Sequence, residues 1–261
     1  MGTTESGGDI PLPLYLQRRR NLPARAALDW LARGWRDLWT SPAPSLVYGF
    51  AVFAVSLLIV WGLFRLELDY ILFPALAGFL VVGPLIAIGL YQKSRALEAG
   101  SPASLANMIF VRAASGAQVW FTGALLCLLM LIWMRAAVII YALFFGLRPF
   151  PGFGDVVTML LTTPVGWGML LVGTVAGGIF AAFSFAISTF AIPMLLDERV
   201  DAFTAMGTSI SLVWNNLPVM LAWGAIVLAL ILASMATGLI GLIVVFPLLG
   251  HATWHSYRAI R

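Results

Sequence analysis

Charged residues fall in short stretches of the chain, and the long intervals between them contain no Asp, Glu, Lys or Arg. An α-helix rises 1.5 Å per residue, so roughly 20 apolar residues cross the hydrocarbon core of a bilayer. Three of these intervals hold one such span each, the interval 156–196 is interpreted as holding one, and the interval 202–257 as holding two. The predicted spans are residues 45–64, 71–90, 113–134, 164–192, 219–235 and 239–254.

Local signals set two of these boundaries. Thr163 followed by Pro164 is typical of a helix N-cap and first helical position, so the fourth span is predicted to start there. Ala236-Thr237-Gly238 interrupts the last interval and divides it into the fifth and sixth spans.

A segment with helical spacing of apolar and polar residues precedes each odd-numbered span, at 27–39, 104–114 and 202–214. We interpret each as a short interfacial helix that leads into a helical hairpin. The predicted fold is therefore all-α: a polytopic membrane protein with six transmembrane helices in three hairpins, each preceded by a short interfacial helix. Residues 1–26 are predicted to form a mobile cytoplasmic arm, and 27–258 the membrane domain.

The composition agrees with a membrane protein. The 261 residues are 61% hydrophobic and 10% charged, and mean hydropathy is +0.98. Soluble domains have about 25% charged residues, so a water-soluble globule, a disordered chain and a nucleic-acid-binding domain are excluded. The single cysteine, Cys127, excludes a disulfide framework within the chain.

The basic residues predict the orientation, because cytoplasmic loops of membrane proteins are enriched in Lys and Arg. Most of the 15 basic residues fall on one side of the predicted topology. These are Arg18, Arg19, Arg20, Arg25, Arg33, Arg36, Lys93, Arg95, Arg112, Arg199, Arg258 and Arg261. Both termini are therefore predicted to be cytoplasmic. Arg33, Arg36, Arg95 and Arg258 are candidate contacts for anionic lipid headgroups, and no nucleic acid partner is expected.

The first two spans are similar in sequence to the last two. Trp39, Tyr48 and Gly49 have the same spacing as Trp214, Trp223 and Gly224. Pro84 and Pro247 are each followed at equal distances by an aromatic residue and an arginine, and Pro193 takes the corresponding place in the middle pair. The pattern predicts three repeats, at about 27–95, 96–199 and 200–258, with a helix break at each proline. Shared membrane composition is the alternative explanation.

Four separated blocks carry a family resemblance: 39–49, 78–91 (GFLVVGPLIAIGLY), 133–146 (WMRAAVIIYALFFG) and 246–258 (FPLLGHATWHSYR). They resemble the bacterial integral-membrane family named domain of unknown function 2189, over roughly residues 27–258. The resemblance implies a multi-pass protein of the bacterial inner membrane, without an established activity.

Members of that family are sometimes labelled cytochrome c oxidase subunits. A heme-copper catalytic subunit needs histidines for two hemes and a copper, supplied from several helices. This chain has two histidines in one segment, so it cannot be that subunit. An accessory or assembly role beside such an enzyme stays open.

Those two histidines, His251 and His255, are four residues apart and share one face of the sixth span. The spacing suits a metal or heme edge, but no third ligand is evident. The alternative interpretation is a pair of interfacial histidines without a ligand, and no cofactor is predicted.

Arg135 is the single charge in an apolar run. One interpretation places it at the outer interface, where its side chain snorkels to phosphates, Asp155 is an available partner, and 136–147 forms a separate interfacial or re-entrant helix. The other makes it a buried anion-binding residue that faces a cavity.

Gly173, Gly177 and Ala181 form a small-residue ridge on the fourth span, which permits close helix packing within the monomer or in a homo-oligomer. Catalytic patterns are scarce: no phosphate-binding glycine loop, no Gly-x-Ser-x-Gly elbow and no base near any hydroxyl are evident. We therefore expect a non-enzymatic accessory, assembly or structural subunit that works with lipid and a membrane complex, of which a respiratory complex is one candidate. The alternative is a small-solute or lipid transporter with a cavity near Arg135.

Overall fold

The computed structural model describes residues 20–146 and 151–261, and these residues form helices and no strands. The helices are α1 (Ala26–Trp39), α2 (Pro42–Arg65), a 3-10 turn (Asp69–Ile71), α3 (Leu72–Ile86), α4 (Ile88–Glu98), α5 (Leu105–Ile109), α6 (Gly116–Phe145), α7 (Phe153–Thr162), α8 (Pro164–Ser188), α9 (Ala191–Asp197), α10 (Ala202–Asn215), α11 (Leu217–Ala236) and α12 (Leu242–Ile260). The all-helical class is confirmed.

Five helical segments of the described chain are long and apolar enough to cross a membrane: Pro42–Arg65, Asp69–Glu98, Gly116–Phe145, Pro164–Asp197 and Leu217–Ala236. They correspond to the first five predicted spans. The sixth predicted span, 239–254, lies in α12 from Leu242 onwards, and α12 is not among the five. The second half of α12 carries histidine, threonine, serine and arginine residues, and these lower its hydropathy.

The separate helix predicted over 136–147 is wrong as far as the described residues reach. α6 continues without interruption from Gly116 to Phe145, because residues 136–145 contain no glycine, proline or polar residue that would end it. The helix ends at Gly146, whose φ of +67° suits glycine. Its 30 residues span about 45 Å, more than the roughly 30 Å of a hydrocarbon core.

The predicted boundary at Thr163 is confirmed. The Thr163 hydroxyl accepts a hydrogen bond of 3.0 Å from the Gly166 amide, and Pro164 is the first residue of α8. The helix α7, just before this boundary, was not predicted. The break at 236–238 is also confirmed, since Gly238 and Leu239 both adopt positive φ between α11 and α12.

The three prolines behave differently from one another. Interruptions lie at Ala87, after Pro84, and at Thr189-Phe190, before Pro193. The break predicted at Pro247 is wrong, since α12 passes through it. Pro247 cannot donate to the carbonyl four residues earlier, that of Ile243. The helix persists because α1, α2 and α4 pack along it.

The helices form two packed groups. α12 packs mainly against α1 and α2 and also against α4, whereas α3, α6 and α8 pack against one another. α6 and α8 run antiparallel as neighbours, which agrees with a hairpin. α2 and α3 make few contacts, so the first predicted hairpin is not a packing unit, and α2 packs against α12 instead.

Residues 1–19 of the predicted arm lie outside the described residues. The backbone amide of Arg20 donates to the Asn216 side chain at 2.9 Å, and its Nε atom donates to the Ile260 carbonyl at 3.1 Å. The first described residues therefore lie beside the C-terminal end of α12.

Candidate functional site

A buried polar cluster lies where α1, α2, α4 and α12 meet. It consists of Asp37, Ser45, Lys93, Ser94, His251 and His255, which we call the polar network. Ser45, Lys93, Ser94 and His251 are each at most 1% exposed. Polar groups sealed from water need partners within the protein.

His251 holds the centre of the polar network through both ring nitrogens. Its Nε2 atom lies 2.9 Å from the Ser45 hydroxyl, and its Nδ1 atom lies 2.8 Å from the Ser94 hydroxyl. The Lys93 ammonium donates to the Ser45 hydroxyl and to the Ser41 carbonyl, both at 2.7 Å. The imidazole therefore joins α12 to both α2 and α4.

The Lys93 ammonium favours one tautomer of His251 and one direction along this chain of hydrogen bonds. An ammonium only donates, so the Ser45 hydroxyl receives from Lys93 and donates to Nε2 of His251. Nδ1 of His251 then carries the proton and donates to Ser94, and the Ser94 hydroxyl helps to hold the pKa of Asp37 below its ordinary value. The polar network thus connects the buried Lys93 cation to the Asp37 carboxylate through a neutral imidazole.

His255 extends the polar network towards the surface. Its Nε2 atom lies 2.8 Å from Asp37 Oδ2, and its Nδ1 atom lies 3.7 Å from Glu98. Burial alone raises the pKa of Asp37, but the hydrogen bonds from His255 and Ser94 outweigh it and hold that pKa below its ordinary value. Arg258 pairs with Glu98 at 3.4 Å and with Asp197 at 3.7 Å.

A serine hydroxyl bonded to both a lysine and a histidine is the arrangement that activates a nucleophile. The expectation that no base lies near a hydroxyl is therefore wrong. No sequence signal could have revealed this contact, because Ser45 and His251 are 206 residues apart. Ser45 is fully buried, however, so a substrate has no path to its hydroxyl.

The histidine pair does not form a common ligand set. His251 uses both nitrogens on serine hydroxyls, and His255 faces two carboxylates. Within residues 20–146 and 151–261, no group of three or more His, Cys, Asp or Glu side chains could hold a metal ion.

A cavity of about 580 Å³ lies at the other end of the molecule, between α3, α6, α7 and α8. Its lining is mostly apolar and aromatic, and none of the described residues in it carries a charge. Its lining includes Phe73, Trp133, Tyr141, Leu160, Gly173 and Thr174. We call it the apolar cavity.

Arg135 does not line the apolar cavity. Trp133, Ala137 and Tyr141 of α6 face the cavity, and Arg135 projects from another side of the same helix. The side chain is exposed and has no hydrogen bond or ion pair to the described residues, Asp155 included.

The other arginines divide into two pairs. Arg95 donates to the Leu196 carbonyl, and Arg258 pairs with carboxylates, so both are engaged inside the protein. Arg33 and Arg36 lie on α1 beside the exposed Trp35, and their side chains make no hydrogen bond to any described residue.

The small-residue ridge of α8 has three different surroundings. A Cβ atom on Gly177 would lie 3.0 Å from the Trp133 ring, so that position packs closely within the molecule. Gly173 lines the apolar cavity, and Ala181 is exposed.

Comparison with known proteins finds one similarity, to a family model that matches part of the chain. A search of the curated proteins found no match, and a search of the solved structures found none. Residues 72–197 match the family described as "Predicted integral membrane protein (DUF2189)". The match covers α3 to α9 and is shorter than the 27–258 expected, since it omits the blocks 39–49 and 246–258. Over residues 72–197, the chain is therefore similar to the DUF2189 family of predicted integral membrane proteins.

Proposed function

We propose that the protein is a non-enzymatic accessory, assembly or structural subunit of the bacterial inner membrane, which packs against lipid and another membrane protein. A respiratory complex is one candidate partner. The observation that carries this proposal is the sealed polar network. The side chains best suited to chemistry, Ser45, Lys93 and His251, are used to join helices and are closed to substrates.

We also propose six membrane crossings with both termini in the cytoplasm. Arg20 contacts Ile260, so the two ends of the described chain lie together. An odd number of crossings would put them on opposite faces of the membrane. The five long apolar segments and α12 together supply an even number, and the excess of basic residues on one side favours the cytoplasmic face.

The interfacial role of α1 is supported by the distribution of its side chains. Ala27, Trp30 and Leu38 are buried against the protein, whereas Trp35 and Trp39 are half exposed. Aromatic side chains of this kind lie at the headgroup level, where Arg33 and Arg36 would meet anionic lipid.

Two exposed surfaces are available to a partner. The outer part of α6 presents Ile139 and Leu143, and α8 presents the small Ala181 among larger apolar side chains. Small residues let a second helix approach closely, so we assign the α8 surface around Ala181 as the first contact to test.

A photo-crosslinking residue placed at Ala181 tests this assignment in cells. The control carries the same residue at the exposed Val175, 120° around the helix. We expect a discrete protein adduct from position 181 and none from position 175. Equal labelling by both, or lipid adducts alone, would count against a protein partner on this surface.

Transport of a small solute or lipid is the second candidate function, favoured by the apolar cavity. Ion-coupled transport uses carboxylates or freed carbonyls at the membrane midplane. Reconstituted protein that moves a labelled lipid between leaflets faster than empty vesicles would favour this candidate.

A further inference from the structure

Independently of any protein partner, we infer that the apolar cavity is a binding site for an acyl chain of a membrane phospholipid. The site lies between three predicted membrane-crossing helices and α7. Its volume of about 580 Å³ falls within the range of ligand sites, roughly 300–1,000 Å³.

The Trp133 indole offers no hydrogen-bond donor to a ligand in the apolar cavity. The Trp133 indole N–H donates to the Pro74 carbonyl at 3.2 Å, so it has no proton left for a ligand. The same ring packs against Phe180, with centroids 5.4 Å apart, and presents its C–H edges and face to the cavity. Gly173, opposite, adds no polar side chain.

Water is a poor occupant of this space. A buried water needs two to four polar partners, and the described lining offers few. Thr174, Tyr70 and Tyr141 supply the hydroxyl groups of the described lining. Genuinely apolar cavities stay dry or take apolar ligands.

The absence of charged residues from the described lining favours an acyl chain over a charged solute as the ligand. None of the described lining residues carries a charge, so an ionic group inside would have no counter-charge and would lose its hydration. The nearby Arg135 faces away from the cavity. A hydrocarbon chain is the complementary occupant.

The position of the opening identifies the source of the chain. Phe73, Tyr70 and Leu170 at the rim are 49%, 44% and 39% exposed. These residues belong to segments that cross the membrane, so the rim faces the bilayer acyl chains. A phospholipid chain can therefore enter sideways while its headgroup stays at the interface.

The variant that tests this site is Gly173→Phe, with Gly178→Phe as the matched control. Both glycines lie within α8, and a Cβ atom on either would meet nothing within 4 Å, so both substitutions have room. Gly173 lines the apolar cavity and Gly178 does not. Only the first phenylalanine would occupy the space of the chain.

The probe is a phospholipid with a photoactivatable acyl chain, used with the full-length protein in nanodiscs and followed by peptide mapping. We expect labelling to be concentrated on the lining segments of α6 and α8 and to saturate with probe concentration. Gly173→Phe should reduce it at least about fivefold, and Gly178→Phe should leave it unchanged. Phosphatidylethanolamine and phosphatidylglycerol probes should label the protein equally, because none of the described lining residues carries a charge that would distinguish their headgroups.

Labelling spread evenly over all lipid-facing helices, or rising linearly with probe concentration, would overturn the proposal. So would equal labelling of the wild type and Gly173→Phe. Saturation is measured on the wild-type protein, so the test stands even if Gly173→Phe fails to fold. Failure of this site would leave the partner adduct at Ala181 unaffected.

Discussion

His251 of α12 and Ser45 of α2 are joined by a hydrogen bond of 2.9 Å between Nε2 and Oγ, although 206 residues separate them in the chain. The contact ties the last helix to the first long one. It is the central contact of the polar network near α1, to which α4 is joined through the hydrogen bond between Ser94 and His251.

Replacing His251 with alanine removes the centre of that unit. We expect His251→Ala to destabilise the protein by about 2–5 kcal/mol, because it leaves a cavity and two buried hydroxyls without their partner. Unfolding in detergent micelles measures the effect, with Ile139→Ala as an exposed control. A His251→Ala protein as stable as the control variant would show that the network contributes nothing.

Lys93 and Asp37 are linked through His251 and the two serines, and a double-mutant cycle measures the coupling. Lys93→Met and Asp37→Asn should each destabilise the protein, since each leaves the other charge without its counterpart. The double variant should recover about 1–3 kcal/mol relative to the sum of the two. Additive effects would mean that the chain of hydrogen bonds does not couple the two charges.

Acid should weaken the network through Asp37. Its folded-state pKa is held below the ordinary value of 3.8, so the carboxylate contributes stability that is present above 3.8 and is lost as the pH falls through the folded-state pKa. Unfolding followed from neutral to acidic pH should show this loss in the wild type. Asp37→Asn should have a lower stability at neutral pH and a smaller loss in that acidic window; an unchanged loss would assign it to other groups.

Gly49 permits the close contact of α2 with α12. A Cβ atom at this position would overlap the Ile243 carbonyl oxygen and lie 2.7 Å from Pro247 Cγ. We expect Gly49→Ala to destabilise the protein by about 1–3 kcal/mol through overpacking. Gly62→Ala on the same helix has open space and should be neutral or stabilising, since alanine is the better helix former. Equal behaviour of the two variants would contradict this packing.

The proposed orientation can be read by cysteine labelling in intact cells whose outer membrane has been permeabilised. Glu67 and Ser101 lie in exposed loops before and after the membrane segment Asp69–Glu98. Each is replaced by cysteine, one at a time, in a Cys127→Ser background. A membrane-impermeant maleimide should label position 67 and leave position 101 unlabelled until the inner membrane is opened. The reverse labelling pattern would show the opposite orientation in the membrane and contradict the proposal.

The helices could be predicted from the sequence because a bilayer forces every spanning backbone group to bond within its own helix. Apolar run length then locates the spans, and Thr163 marks one start by its own side chain. The same criterion placed the end of α6 wrongly, at Arg135. A single charge does not end a helix, and α6 continues to Phe145, where Gly146 ends it.

The polar network lay beyond prediction for a different reason. Lys93 looks like a loop charge and Ser45 like an ordinary residue of an apolar span, and only tertiary packing brings them to 2.7 Å. The spacing of His251 and His255 correctly placed them on one helix, but it could not show that they bind different partners.

Whether this protein works with another membrane protein can be measured by gentle purification from its native membrane, followed by mass spectrometry and visible absorption spectroscopy. We expect a second membrane protein that elutes with it at constant ratio and is lost when position 181 carries a bulky residue. A monodisperse monomer that carries only phospholipid, under conditions that keep other inner-membrane complexes intact, would contradict it.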